Sequence, residues 1–117
     1  ELLSGAVKEL NKKKIKNVKK IIVPGVFEIP FVISKNINKY DGFIALGCVI
    51  KGQTPHFELI SASTINAIMN LSTNHKIPIG NGIITSLNKK QAIVRSNPIK
   101  KNKGGEAAKA LISLLNL

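Results

Sequence analysis

The sequence predicts an α/β fold in which a parallel sheet is covered by helices on both faces. Three observations lead there. FIALGCVI (Phe43–Ile50) is an apolar run of strand length that ends in a short polar turn and feeds a long helical pattern. Ile21-Ile22-Val23 is a second β-branched run, stopped by Pro24-Gly25. Stretches of helical spacing alternate with the strand runs, the pattern of parallel strands joined by crossover helices.

Each element follows from its residues. Leu2, Leu3, Ala6, Val7 and Leu10 recur at helical spacing and define a first amphipathic helix. Asn11 and the lysines after it end that helix, and lysine suits the negative end of a helix dipole. The chain starts inside this helix at Glu1, with no cap before it, which predicts an N-terminal segment upstream. After Pro24-Gly25, the residues Ile29, Phe31, Val32, Ile33 and Ile37 predict a short buried helix, with Pro30 tolerated in its first turn. Tyr40-Asp41-Gly42 is a turn into the central strand. The next helix carries Leu59, Ile60, Ala62, Ile65, Ala67, Ile68 and Leu71 and ends near Asn74-His75. Residues 77–85 form another strand, interrupted at Gly80-Asn81-Gly82; glycine inside a strand marks close approach of a ligand or another backbone. Residues 88–95 form a short helix and residues 96–103 a polar loop. A final helix over residues 105–117 buries Ala107, Ala108, Leu111 and either Leu114 or Leu115.

At 117 residues, 44% of them apolar, the chain is read as one domain, residues 1–117, with a single core. Cys48 is the only cysteine, so the chain can form no internal disulfide and no cysteine-based metal site. No apolar run reaches membrane-spanning length, and no signal-peptide pattern is present. The formal net charge of +12 comes almost wholly from lysine, clustered at Lys12-Lys13-Lys14, Lys19-Lys20, Lys89-Lys90 and Lys100-Lys101, and Arg95 is the only arginine. Nucleic-acid binding would use such charge, but aromatics are 4% of the chain and base stacking needs them. The lysines are read as solvated faces whose field attracts phosphorylated small molecules.

The chemistry centres on GCVIKGQTPHFE, residues 47–58. A strand that stops at a glycine-containing turn and feeds a helix offers free N–H groups and a positive dipole end to an anion. Pro55 suits the first helical position, Thr54 can cap the helix or lend its hydroxyl to a ligand, and His56 puts a group titrating near neutrality beside the anion cradle. Taken alone, the same unit is more often an ordinary strand–turn–helix with a surface histidine. Three such turns, after Val23, after Ile50 and around Ile84, fall at the carboxyl rim of a parallel sheet, where ligands of this fold class gather.

PGVFEIP (residues 24–30), GCVIKGQTPHFE, IPIGNGIIT (77–85), QAIVR (91–95) and NKGGEAA (102–108) together resemble the lumazine synthase family, over essentially the whole chain and in order. The resemblance implies a three-layer α/β/α sandwich with a flavodoxin-like parallel sheet, its N-terminal strand missing. That strand usually ends in an aromatic–Asn pair whose ring stacks on the pyrimidine. The implied reaction condenses 5-amino-6-(D-ribitylamino)uracil with 3,4-dihydroxy-2-butanone 4-phosphate, releasing water and phosphate, with no metal or organic cofactor. An amine attacks a ketone, a Schiff base forms, phosphate leaves and the ring closes. Those steps need positioning, a proton shuttle and a hold on phosphate.

The resemblance makes His56 the proton-transfer residue. Gln53 and Thr54 hold phosphate at the helix start, with Arg95 as its bidentate partner and Lys103 nearby. Val26, Phe27 and Glu28 line the pyrimidine and ribityl pocket, and Cys48, Val49 and Ile50 meet the pyrimidine largely through backbone groups. Glu106 is read either as an ion-pair partner orienting Arg95 or as an exposed helix-start carboxylate. Asn81 matches a position usually supplied by a neighbouring subunit, which implies a homo-oligomer, either a pentamer or an icosahedral shell of pentamers, in the cytoplasm. Riboflavin synthase is an implied partner; nucleic acid and membrane are not. Two departures stand out: Val94 replaces a usual glutamate, and residues 96–101 replace a loop with glycine and threonine. The alternatives are a non-catalytic shell homologue and an archaeal-type riboflavin synthase.

Overall fold

The computed structural model describes residues 1–52 and 56–117. The central apolar run forms strand β1, Phe43–Ile50, which pairs in parallel with strand β2, Ile79–Ser86. Phe43 lies opposite Ile79 and Ile50 opposite Ser86, so the two carboxyl ends share one rim. The helices are α1 (Leu2–Lys12), α2 (Ile29–Lys35), α3 (His56–His75), α4 (Lys89–Ser96) and α5 (Lys103–Leu115), with a single 3₁₀ turn at Val26–Glu28 just before α2.

Side-chain alternation along the strands sorts the core into two layers. Ala45 and Val49 of β1, with Ile79 and Ile83 of β2, pack under Ile29 and Ile33 of α2 and Ile68 of α3, with Phe43 joining them. The intervening positions Ile44 and Leu46 turn the other way, toward Ala6 and Leu10 of α1 and Ala108 and Ile112 of α5. The sheet is therefore sandwiched between helices, as the alternating elements predict, and the chain is α/β.

The glycines of β2 explain how closely α5 approaches. A Cβ on Gly80 would run into the Ala107 carbonyl oxygen, and one on Gly82 would lie 3.1 Å from the Ala107 Cβ. Of the two meanings that glycine in a strand can carry, the structure shows the second: another backbone sits there. Residues 80–82 do not interrupt the strand, which runs unbroken through them. Leu111, one turn further along α5, meets Gly42 and Gly80. Helix α5 thus runs opposite to the strands and brings its N-terminus to their carboxyl rim.

Three local expectations change. Ile21-Ile22-Val23 is not a strand: a strand exists only as a hydrogen-bonded partner, β1 pairs with β2, and Ile22 stands 97% exposed. Helix α5 starts two residues earlier than its apolar pattern, because Asn102 caps it, accepting from the Gly105 N–H at 3.2 Å. Leu114 and Leu115 are both exposed, beyond the reach of the sheet. No helix among the described residues is long and apolar enough to cross a membrane.

Candidate active site at the carboxyl rim

The rim is assembled from four directions. The 3₁₀ turn lays Val26 on β1: a Cβ on Gly47 would meet Val26 Cγ1 at 2.5 Å, so only glycine lets this turn sit on the strand. Helix α3 opens at His56, an exposed residue. Helix α4 follows β2 after Leu87 and Asn88, and Asn88 caps it by accepting from the Gln91 N–H at 2.8 Å. Helix α5 arrives with its N-terminus, whose dipole is positive.

Arg95 lies in the last turn of α4 and reaches back to β2, where its Nη1 donates to the Thr85 carbonyl oxygen. This bond fixes one edge of the guanidinium and leaves its other donors for a ligand. Asn81, Arg95 and Lys103 line a single cleft of about 470 Å³, together with Gly82, Ile83, Ile84, Thr85 and Lys101. Five consecutive residues of β2 line it, so it runs along the edge of β2 that faces away from β1. Three of the residues singled out from sequence, Asn81, Arg95 and Lys103, are therefore brought together within one chain.

Lys103 is the first residue of α5 and forms an ion pair with Glu106 at 3.1 Å. Glu106 thus partners Lys103, its neighbour three residues along the same helix, while Arg95 is anchored by a backbone carbonyl. Asn102 holds the turn before α5 in the left-handed region, at φ 48, which asparagine tolerates better than most residues. The glycines of NKGG serve packing. A Cβ on Gly104 would collide with the Leu2 carbonyl oxygen, and one on Gly105 with the Asn102 side chain that caps the helix. Asn81 folds onto its own strand, its Oδ1 accepting from the Ile83 N–H at 3.0 Å.

The other described candidates do not line this cleft. Val26 and Glu28 are half-buried and Phe27 is 62% exposed, so its ring presents a free apolar face. Val49 is buried in the α2–α3 layer. Cys48 and Ile50 point to the other side and are exposed. Burial pushes the Cys48 thiol pKa up, and the Arg95 charge pulls it partly back, so the two side chains share one electrostatic environment. Gln53 and Thr54 lie outside the described residues, as does Pro55. Among the described residues, no three His, Cys, Asp or Glu side chains converge in a way that could hold a metal ion.

Two contributors escaped sequence reasoning. Thr85 acts through its carbonyl, which no side-chain pattern reports. Lys101 sits in a lysine pair that reads as solvent-facing, and only the fold shows that it reaches the cleft. Ser86, at the end of β2, is buried with no hydrogen-bond partner for its hydroxyl among the described residues.

The family model for 6,7-dimethyl-8-ribityllumazine synthase matches residues 1–117. Proteins named 6,7-dimethyl-8-ribityllumazine synthase are similar to the chain over most of its length. That of Zymomonas mobilis is 48% identical, across 83% of this chain and 70% of the relative. That of Bartonella tribocorum is 44% identical, across 99% of this chain and 78% of the relative. That of Campylobacter jejuni is 43% identical, across 89% of this chain and 69% of the relative. With the family model covering the whole of residues 1–117 and relatives at 44–48% identity, the chain belongs to the 6,7-dimethyl-8-ribityllumazine synthase family.

Proposed function

We propose that this chain is a transferase of riboflavin biosynthesis that condenses 5-amino-6-(D-ribitylamino)uracil with 3,4-dihydroxy-2-butanone 4-phosphate to 6,7-dimethyl-8-ribityllumazine. The observation that carries this reading beyond family membership is the cationic cleft at the carboxyl rim: Arg95 and Lys103 stand beside β2 where the N-terminus of α5 arrives. A guanidinium with one edge anchored and a helix start are both suited to a phosphate dianion, and phosphate is the group the reaction binds and then releases.

In this reading Arg95 grips the phosphate with its unanchored N–H groups and Lys103 adds charge, with Gln53 and Thr54 completing the hold. His56 carries the proton that the amine loses and the leaving groups need. Phe27 lies flat against the pyrimidine, and Val26 and Glu28 flank it. The backbone of Cys48, Val49 and Ile50 meets the ring's polar edge. The protein works as a homo-oligomer built of pentamers. Exposed Phe31 (70%) on α2, and Leu59 (64%) and Met69 (60%) on α3, are large apolar side chains that subunit contacts would cover. Its setting in this reading is the cytoplasm.

The test is lumazine formation followed by absorbance, with the phosphorylated substrate varied. Arg95→Ala removes charge-assisted hydrogen bonds of about 1.5–3 kcal/mol, so KM for that substrate should rise about 10- to 150-fold with kcat changed far less. An unchanged KM would remove Arg95 from the phosphate site.

A further inference from the structure

We propose that Lys101 is a third phosphate-binding cation of the rim cleft, acting beside Arg95 and Lys103. The inference rests on the reading of that cleft as a phosphate site and extends it to a residue that the motifs do not contain.

Position is the first argument. Lys101 lines the cleft with Arg95 and Lys103, and it also lines a second hollow of about 410 Å³ on the other side of Arg95, beside Lys90 and Gln91. It therefore stands in the wall next to the guanidinium. The second argument is that the loop holds it there. The Lys101 N–H donates to the Val94 carbonyl at 3.2 Å, and the next N–H, of Asn102, donates to the Asn97 carbonyl at 2.9 Å. Asn102 in turn caps α5. Lys101 is thus pinned between the end of α4, which carries Arg95, and the start of α5, which carries Lys103. Little loop ordering remains to be done on binding.

Charge accounting is the third argument. Lys103 is paired with Glu106 at 3.1 Å, and Arg95 commits one nitrogen to the Thr85 carbonyl. Among the described residues no carboxylate pairs with Lys101. A phosphate dianion brings about two negative charges, more than Arg95 and a shared Lys103 supply. Of the two lysines that line the cleft with Arg95, Lys101 is the one without a carboxylate partner among the described residues. Its ammonium acts as a point charge, so arginine at the same position should serve equally well.

The test is titration with inorganic phosphate, read by ³¹P NMR on the whole chain in low-salt buffer. Lys101→Ala should weaken phosphate binding about two- to fivefold, the scale of one solvent-exposed charge pair, and Lys101→Arg should restore it. Lys90→Ala makes the same charge change on α4 outside the cleft and should leave the dissociation constant within error. Equal losses for Lys90→Ala and Lys101→Ala would reduce Lys101 to a share of the general field and overturn the proposal. Loss in Arg95→Ala with none in Lys101→Ala would overturn it while leaving the phosphate site standing. Unchanged binding in Arg95→Ala and Lys101→Ala alike would remove the phosphate reading of the cleft itself, and the proposal with it.

Discussion

Gly104→Ala sets two stability effects of opposite sign against each other. Gly104 lies in the first turn of α5, and alanine in a helix is favoured over glycine by about 1 kcal/mol. On propensity alone the substitution stabilises. The structure says otherwise. The new Cβ would lie 2.8 Å from the Leu2 carbonyl carbon and 2.9 Å from its Cα, with the carbonyl oxygen closer still. These are backbone atoms of the first turn of α1, and no rotamer change can move them. Helix α1 must lift from α5, disturbing the contacts of Ala6 and Leu10 with Ala108. Overpacking of this kind costs about 1–3 kcal/mol, and with backbone on the receiving side the upper half applies. The net expectation is about 1–2 kcal/mol of destabilisation. Gly52 is the reference: among the described residues a Cβ there would meet nothing within 4 Å, and its φ is not positive. Gly52→Ala should therefore gain about 0.4–1 kcal/mol by restricting the unfolded chain. Urea unfolding followed by far-UV circular dichroism reads both, as midpoints moving in opposite directions at constant slope. If Gly104→Ala matched or exceeded the parent in stability, propensity would have won, and the close α1–α5 contact would be refuted.

Two further outcomes separate chemistry from binding at the rim. His56→Ala should lower kcat by about 10²–10⁴, the range of a general acid–base group, while leaving the dissociation constant of inorganic phosphate unchanged; equal loss of both would make His56 a binding residue. Cys48, whose thiol is raised by burial and lowered by Arg95, should alkylate with iodoacetamide along a pH profile centred above that of a free thiol. Arg95→Ala should move that centre further up, and a downward move would mean that the guanidinium does not reach the thiol.

Much of this was legible in the residues, for identifiable reasons. The long apolar run of β1 and the 3.6-residue spacing of α1 and α5 report burial directly, because each element must hide one face, whereas the spacing of α3 reports a helix but leaves Leu59 exposed. The layered α/β arrangement follows from their order. Ile21-Ile22-Val23 misled for a matching reason. Composition reports the preference for extended backbone, but a strand also needs a neighbour, and pairing is a property of the fold. The start of α5 was missed by two residues because Asn102, a capping side chain, rather than apolar spacing sets it. In the site, Arg95 and Lys103 were findable as a lone arginine and a motif lysine. Their meeting on one cleft depends on the end of α4 and the start of α5 both lying beside β2, which no local pattern encodes. Lys101 was hidden by its own context, since a lysine beside a lysine in a polar loop reads as solvated.

A motif is not a unit of function. In IPIGNGIIT, Gly80 and Gly82 admit α5, whereas Asn81 between them lines the cleft. In NKGG, Asn102 caps the helix, Gly104 and Gly105 admit α1 and the cap, and Lys103 alone lines the cleft. Both stretches spend most of their residues on bringing α5 close to the sheet with its positive end at the rim. The cations are then placed by packing: Lys103 can reach the cleft only because Gly80 and Gly82 let Ala107 sit on the strand. Substitutions at these glycines should consequently weaken phosphate binding without touching a ligand atom, through displacement of the helix that carries the charge.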